Sequence, residues 1–203
     1  TYVSYCRPTV HEGNRTSRIG RSTSPDFVRW TELETVLEPD EHDSPGLGFY
    51  GLPVFPYSGH IPGPAQAYHT PPEEPQIRAA GTMDMQLASS LDSISWERVA
   101  DRATFIPNGP PGSIDQGEVY AAAAPVLIGD ELWFYYGASP QEHGVAGRSG
   151  PICVAKLRLD GFVSVDAGEA GGTLITRPFV CEGGDLKLNA SARGGSISVA
   201  VLG

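Results

Sequence analysis

One stretch of this chain occurs twice, and its two copies stand 66 residues apart, from Trp30 to Trp96. Laid without gaps over Met85-Gln-Leu-Ala-Ser-Ser-Leu-Asp-Ser-Ile-Ser-Trp96, the segment Ile19-Gly-Arg-Ser-Thr-Ser-Pro-Asp-Phe-Val-Arg-Trp30 sets Ser24 on Ser90, Asp26 on Asp92 and Val28 on Ile94. A weaker third copy, Ile152-Cys-Val-Ala-Lys-Leu-Arg-Leu-Asp-Gly-Phe-Val163, again places an alternating strand before an Asp-containing turn but lacks the tryptophan. The other halves of the unit lie between the copies, led by Tyr50-Gly-Leu-Pro-Val-Phe-Pro-Tyr57 and, 70 residues on, by Tyr120-Ala-Ala-Ala-Ala-Pro-Val-Leu-Ile128. A small sheet repeated at this period cannot bury both faces alone, so each unit has to stack on its neighbours.

The rest of the composition agrees with short strands. The chain has 25 glycines and 18 prolines in 203 residues, yet 40% of it is hydrophobic, which suits strands joined by tight turns rather than disorder. Ile128-Gly-Asp-Glu-Leu-Trp-Phe-Tyr-Tyr136 reads as a hairpin around Gly129-Asp130. Helical periodicity is confined to Glu97–Ala103. The predicted class is all-β, with each unit supplying the four short strands of a β-propeller blade, since a β-solenoid needs shorter and more regular repeats. The expected blade portions are 1–40, 41–103 and 104–167, together an incomplete propeller whose remaining blades lie elsewhere in a longer chain. From 168 to 203 the pattern changes to Thr173–Val180, Asp185–Asn189 and Ser196–Leu202 separated by Gly-rich turns, and these strands are expected to begin a C-terminal β-sandwich or to cap the propeller.

Fourteen Lys and Arg stand against 24 Asp and Glu, a formal charge of −10 that repels phosphate backbones and anionic lipid. Nucleic acid and membranes are therefore not expected partners. No apolar run approaches the roughly 18 residues of a spanning helix. Thr1 is not an initiator methionine, so the compartment stays open, secretion and the periplasm included. Cys6, Cys153 and Cys181 show no metal or disulfide spacing and are expected to be small buried hydrophobes. Asn14-Arg15-Thr16 and Asn189-Ala190-Ser191 fit a glycosylation pattern too short to decide the matter.

Chemistry is suggested at two places. Gly46-Leu-Gly-Phe-Tyr-Gly51 matches a dinucleotide fingerprint in letters, but Pro53 and Pro56 forbid the helix that chemistry needs. In Ser113-Ile-Asp-Gln-Gly-Glu-Val-Tyr-Ala-Ala122, Asp115 and Glu118 precede an apolar strand. In a propeller the inner strands start near the axial funnel, where carboxylates converge, and glycoside cleavage uses paired carboxyls as acid and as nucleophile or base. A solvated turn is the competing reading of the same pair. His42, His60, His69 and His143 lack ligand spacing, so no metal and no cofactor are expected.

Asp115-x-Gly117-x-x-Tyr120-Ala121 resembles the Asp-x-Gly-x-x-Tyr-Ala stretch of the fourth blade in invertase- and fructanase-type glycoside hydrolases, which are five-bladed propellers. The Ser-x-Asp-x-x-x-Trp turns at 24–30 and 90–96 resemble turns shared by those enzymes and the arabinanase-like families. The similarity spans Thr1 to Asp166. It implies that Tyr50-Gly51-Leu52-Pro53 falls where the family has its acid, so Gly51 stands in place of a glutamate. It also implies that the nucleophile Asp and the Arg-Asp-Pro stretch would precede Thr1.

The expected function is that of a carbohydrate-active relative of glycoside hydrolases, with carbohydrate and the remaining blades as partners. The alternative is a carbohydrate- or protein-binding propeller that has lost its acid. Glu118 is the first choice to replace the acid, with Asp115 and Asp43 behind it. Tyr50, Tyr120 and His143 are the expected sugar-binding residues. Residues 1–203 alone are expected not to turn over aryl-glycosides or fructans.

Overall fold

A computed structural model describes residues 1–8, 17–71 and 80–201; Asn14-Arg15-Thr16 lies outside them. The chain is all-β, 37% strand and 2% helical. It divides into two units, Thr1–Gly161 and Phe162–Gly203.

Among its described residues the first unit holds twelve strands. β1 (Tyr2–Cys6), β2 (Ile19–Ser24) and β3 (Glu34–Leu37) form an antiparallel sheet in that order. β4 (Leu47–Phe49), β5 (Ile61–His69) and β6 (Thr82–Ser90) follow in the same antiparallel manner, and β7 (Glu97–Arg98) and β8 (Thr104–Ile106) share the outer edge of β6. In the third group, β11 (Glu131–Ser139) is flanked on one side by β12 (Ile152–Arg158) and on the other by β9 (Glu118–Ala121) and β10 (Val126–Ile128). A single parallel bridge, Met83 to Glu118, joins the second group to the third. The β10–β11 hairpin turns at Gly129, whose φ of 59° is the left-handed conformation that glycine adopts freely.

The sequence repeat is a repeat of hydrogen bonds. In the first copy Ser24 Oγ bonds Asp26 Oδ1 at 3.2 Å, and the same oxygen accepts the backbone N–H groups of Val28 and Arg29. In the second, Ser90 Oγ bonds Asp92 Oδ1 at 3.1 Å, which accepts the N–H groups of Ile94 and Ser95. Phe27 and Ser93, equivalent positions, both turn left-handed, at φ 64° and 69°. Each aspartate thus satisfies the backbone donors of a turn that leaves the sheet (an Asx turn), which is why Ser and Asp recur there. The bonds also depress both carboxyls, to about 2, because the ionised form receives the N–H groups.

Packing follows from the stacking the repeat demands. Ile19 and Leu37 of the first sheet close on Leu47, Phe49, Leu52, Ala65, Ala67 and Ala88 of the second, with Tyr5 and Trp96 edge to face at 5.5 Å. Phe134 of β11 packs against Phe55 and Phe105, at 5.9 and 5.4 Å, so the third group lies on the second by the same means. The other face of β11 and β12 exposes Tyr135, Ile152 and Val154.

Several expectations are corrected. β8 belongs with the second sheet, whereas the repeat assigns Thr104 to the third portion. The helical candidate Glu97–Ala103 is the short strand β7 and a left-handed 3-10 turn, with φ of 53°, 50° and 63° at Ala100, Asp101 and Arg102. Its third residue ion-pairs with Asp40 and Asp43, so tertiary contacts override local propensity. Cys6 and Cys181 are exposed and Cys153 is half-buried: Cys6 ends an edge strand, and Cys181 lies in a segment that forms no strand. In the second unit the three expected strands are not formed, and Phe162–Val201 carries no strand among its described residues. Alternation alone makes no strand without a partner to take its hydrogen bonds.

β5 is the strand that patterning hides, since Ile61-Pro-Gly-Pro64 reads as a turn. Even-numbered residues of β5 face β4, as the bonds Gln66 N–H to Gly51 O and Phe55 N–H to Pro62 O show. Pro62 and Pro64 therefore lack their donors on a side where β4 has already ended, at Phe49.

Candidate functional site

Glu118 opens β9, and its residue is 1% exposed. Oε1 accepts the Tyr120 hydroxyl at 2.5 Å, stands 2.7 Å from His143 Nδ1 and receives Arg148 Nη1 at 3.2 Å. All three converge on Oε1, while Oε2 has Arg148 Nη1 at 3.4 Å, so the buried carboxylate is held by partnered side chains as its burial requires. Burial and the bond to Glu118 push the Tyr120 hydroxyl well above the ordinary tyrosine range, so it stays a donor.

The loop after β11 delivers His143, and the local sequence makes room for it. A Cβ at Gly117 would lie 2.2 Å from the Gln141 carbonyl oxygen, so only glycine lets that loop pass over the start of β9. Gly117 N–H bonds Ser139 O at 3.0 Å, and His143 N–H bonds Gly81 O, just before β6, at 2.8 Å. The glycine of the Asp-x-Gly-x-x-Tyr motif is thus a contact point for the His143 loop.

Nδ1 of His143 stands 2.7 Å from the Glu118 carboxylate oxygen and 3.0 Å from Arg148 Nη1, which can only donate; the shorter contact to the anion favours a proton on Nδ1 and leaves Nε2 to exchange a proton or accept a hydrogen bond. Around this ring stand Tyr50 at 4.9 Å and Tyr68 at 5.2 Å, both edge to face, and Tyr50 also meets Tyr120 at 6.3 Å. Burial, with Tyr50 and Glu118 nearby, raises the Tyr68 hydroxyl above its usual value. The Arg7 guanidinium lies 4.0 Å over the Tyr50 ring. The arrangement pairs an imidazole held by Glu118 with three phenols, a surface that can stack on a sugar face and hydrogen-bond its hydroxyls.

Of the sequence-derived candidates, Glu118, Tyr120, Tyr50 and His143 come together here. Asp115 does not join them: it takes the Ser113 hydroxyl at 2.7 Å and the Tyr136 hydroxyl at 2.8 Å, and these bonds hold its carboxyl below the usual range despite some burial. Asp43 is clamped by Arg98 and Arg102; burial raises its carboxyl, but the Arg98 and backbone bonds outweigh it and the net shift is downward. Its place is in a buried ion-pair network. Two other aromatic residues, Tyr57 and Trp133, are engaged elsewhere, Tyr57 with Asp160 and Trp133 under Lys156. At Gly51, a Cβ would stand 2.5 Å from the Gln66 amide oxygen, so a side chain there has to displace that amide. Among the described residues, no group of three or more His, Cys, Asp and Glu is placed to hold a metal ion. Sequence reasoning missed Tyr68, Arg7 and Arg148. Tyr68 alternates correctly within β5, but the prolines conceal that strand.

No protein-family model matches the chain, and no curated protein matches it. Among solved structures it is similar to an N-acetylgalactosamine deacetylase from F. plautii, solved in complex with blood group B trisaccharide, at 18% identity and a TM-score of 0.52 over 70% of this chain and 42% of that one. It is likewise similar to a family 117 glycoside hydrolase produced by the marine bacterium Zobellia galactanivorans, at 17% identity and a TM-score of 0.52 over 69% and 38%. The chain thus spans about two fifths of the length of these structures. What the likeness shows is the fold, an all-β chain of propeller type.

Proposed function

We propose that this chain is part of a carbohydrate-active propeller that acts on, or binds at, glycosidic linkages. The observation that carries the proposal is the convergence of Tyr50, Tyr68, Tyr120 and His143 on the enclosed carboxylate of Glu118. Sugar sites combine aromatic faces with a few fixed polar atoms in this way. The shared fold with a deacetylase solved with a trisaccharide and with a glycoside hydrolase supports the same reading. The three groups of strands are then successive blades, and the exposed face of β11 and β12 is where a further blade packs.

In this reading Glu118 is a positioning residue. Glu118 is 1% exposed and its Oε1 already meets three side chains, which leaves it poorly placed to protonate a leaving oxygen directly, whereas His143 presents Nε2. A binding role without turnover is favoured by one observation: at Gly51, where the resemblance places the acid, the Gln66 amide occupies the space of a side chain. The test is a titration of the 203-residue chain with a set of oligosaccharides, read by NMR at the His143 and tyrosine ring signals. Saturable shifts confined to His143, Tyr50, Tyr68 and Tyr120 are expected, and no shift with any sugar overturns the reading. Hydrolysis separates the two roles: in a catalytic protein His143→Ala lowers turnover by about 10²–10⁴-fold, the usual contribution of a proton-transferring side chain.

A further inference from the structure

Two guanidinium groups border the aromatic cluster, and neither has all its donors engaged among the described residues. Arg7 lies over Tyr50 and makes no hydrogen bond or ion pair among the described residues. Arg148 gives Nη1 to Glu118, and its side chain is 41% exposed. Contact runs from Arg7 through Tyr50 to His143 and on to Arg148, so both cations address one site. This is a local reversal in a chain whose formal charge is −10. The carboxylates near the cluster do not cancel it: Glu118 is enclosed and already paired with Arg148, and Glu142, which acts on Tyr68, is exposed and ion-pairs with neither arginine among the described residues.

We infer that the sugar taken at this site carries a carboxylate, as a uronic acid does, and that Arg7 receives it. The inference rests on the carbohydrate reading above. The guanidinium carbon lies 4.0 Å over the Tyr50 ring, and an aromatic face satisfies the charge without taking the N–H donors, which leaves the planar fork for an acceptor. A carboxylate matches that fork with two parallel, charge-assisted bonds, and a neutral sugar hydroxyl does not. Arg148 supplies a second positive charge at the far side of His143.

The experiment is calorimetric titration of the 203-residue chain with glucuronic- and galacturonic-acid disaccharides, with their neutral glucose and galactose counterparts, and with acetate. A charge-assisted pair at an open site should make an acidic disaccharide bind at least about tenfold tighter than its neutral counterpart. Arg7→Gln should remove that difference, weakening the acidic disaccharide far more than the neutral one. Should Arg7→Gln fail to fold, Arg7→Lys, which keeps the charge but not the fork, should bind the acidic sugar more weakly than the parent and still more tightly than the neutral one. Equal affinity for acidic and neutral sugars overturns the inference and leaves the carbohydrate reading standing. So does an equal loss of both affinities in Arg7→Gln, which would make Arg7 a scaffold residue. Acetate that competes as well as the disaccharide also overturns it, by showing a site for any small anion. Binding of neither sugar removes the inference and the carbohydrate reading together.

Discussion

Glu118 Oε1 stands 2.7 Å from Nδ1 of His143, 25 residues further along the chain, nearer than Arg148 Nη1 at 3.0 Å, and the shorter contact to the anion favours a proton on Nδ1. In the native chain the ring nitrogen signals of His143 should report a proton on Nδ1. Glu118→Gln can present its amide N–H to the ring instead, so the Nε2–H form should gain population. Nitrogen-15 spectra that are identical in the two proteins would contradict the positioning role. Glu118→Leu leaves Tyr120 and Arg148 without their acceptor and should destabilise the fold by about 1–3 kcal/mol, measured by denaturant unfolding.

Gly117 controls whether the His143 loop reaches Glu118 at all. Gly117→Ala places a methyl group against the Gln141 carbonyl, 2.2 Å from where its Cβ would sit, so the loop must move. The expected outcome is loss of the His143 ring shifts caused by Glu118 and a destabilisation of about 1–3 kcal/mol, the usual cost of forced packing. Unchanged His143 signals would show that the loop tolerates the methyl group.

Asp43 tests the separation of structure from chemistry. Its carboxylate and the Arg98 guanidinium are 4% and 6% exposed and 2.6 Å apart. Removing one partner of a buried pair typically costs about 3–5 kcal/mol, so Asp43→Ala should unfold at much lower denaturant concentration. At temperatures where the variant remains folded, its sugar affinity should equal that of the parent. A selective loss of affinity would return Asp43 to the site.

The repeated turns predict an acid transition. Asp26 and Asp92 have folded-state values of about 2 against a reference of 3.8. A depressed carboxyl adds stability that is complete above its unfolded value and is lost as pH falls through the folded one. Stability should therefore decline from about pH 4 towards pH 2, and Asp92→Asn should flatten part of that decline. Equal slopes in parent and variant, from urea unfolding at each pH, would remove Asp92 from the transition.

Ala100 holds a left-handed φ of 53°, which a Cβ disfavours. Ala100→Gly should relieve that cost and stabilise by about 0.5–1 kcal/mol after the extra entropy of glycine in the unfolded chain is counted. A lower melting temperature would show that the turn is relaxed as it stands.

The sequence by itself determined the repeating unit and half of the site. Ser24 and Asp26, like Ser90 and Asp92, bond backbone groups within a few residues of themselves, so the turn is written locally and can be read locally. Glu118 and Tyr120 are also legible together, because alternate residues of one strand share a face. The tertiary structure alone decided the rest. His143 meets Glu118 because Gly117 lets a loop cross and Gly81 accepts its N–H, while Asp43 goes to Arg98, 55 residues away. Arg7 joins the site from beyond the first sheet by lying on Tyr50. Such contacts depend on how one sheet stacks on the next, and stacking is set by the shapes of whole faces rather than by spacing along the chain. The second unit shows the same limit from the other side: Thr173–Val180 alternates as a strand should, yet forms none, because a strand exists only where another chain segment completes its hydrogen bonds.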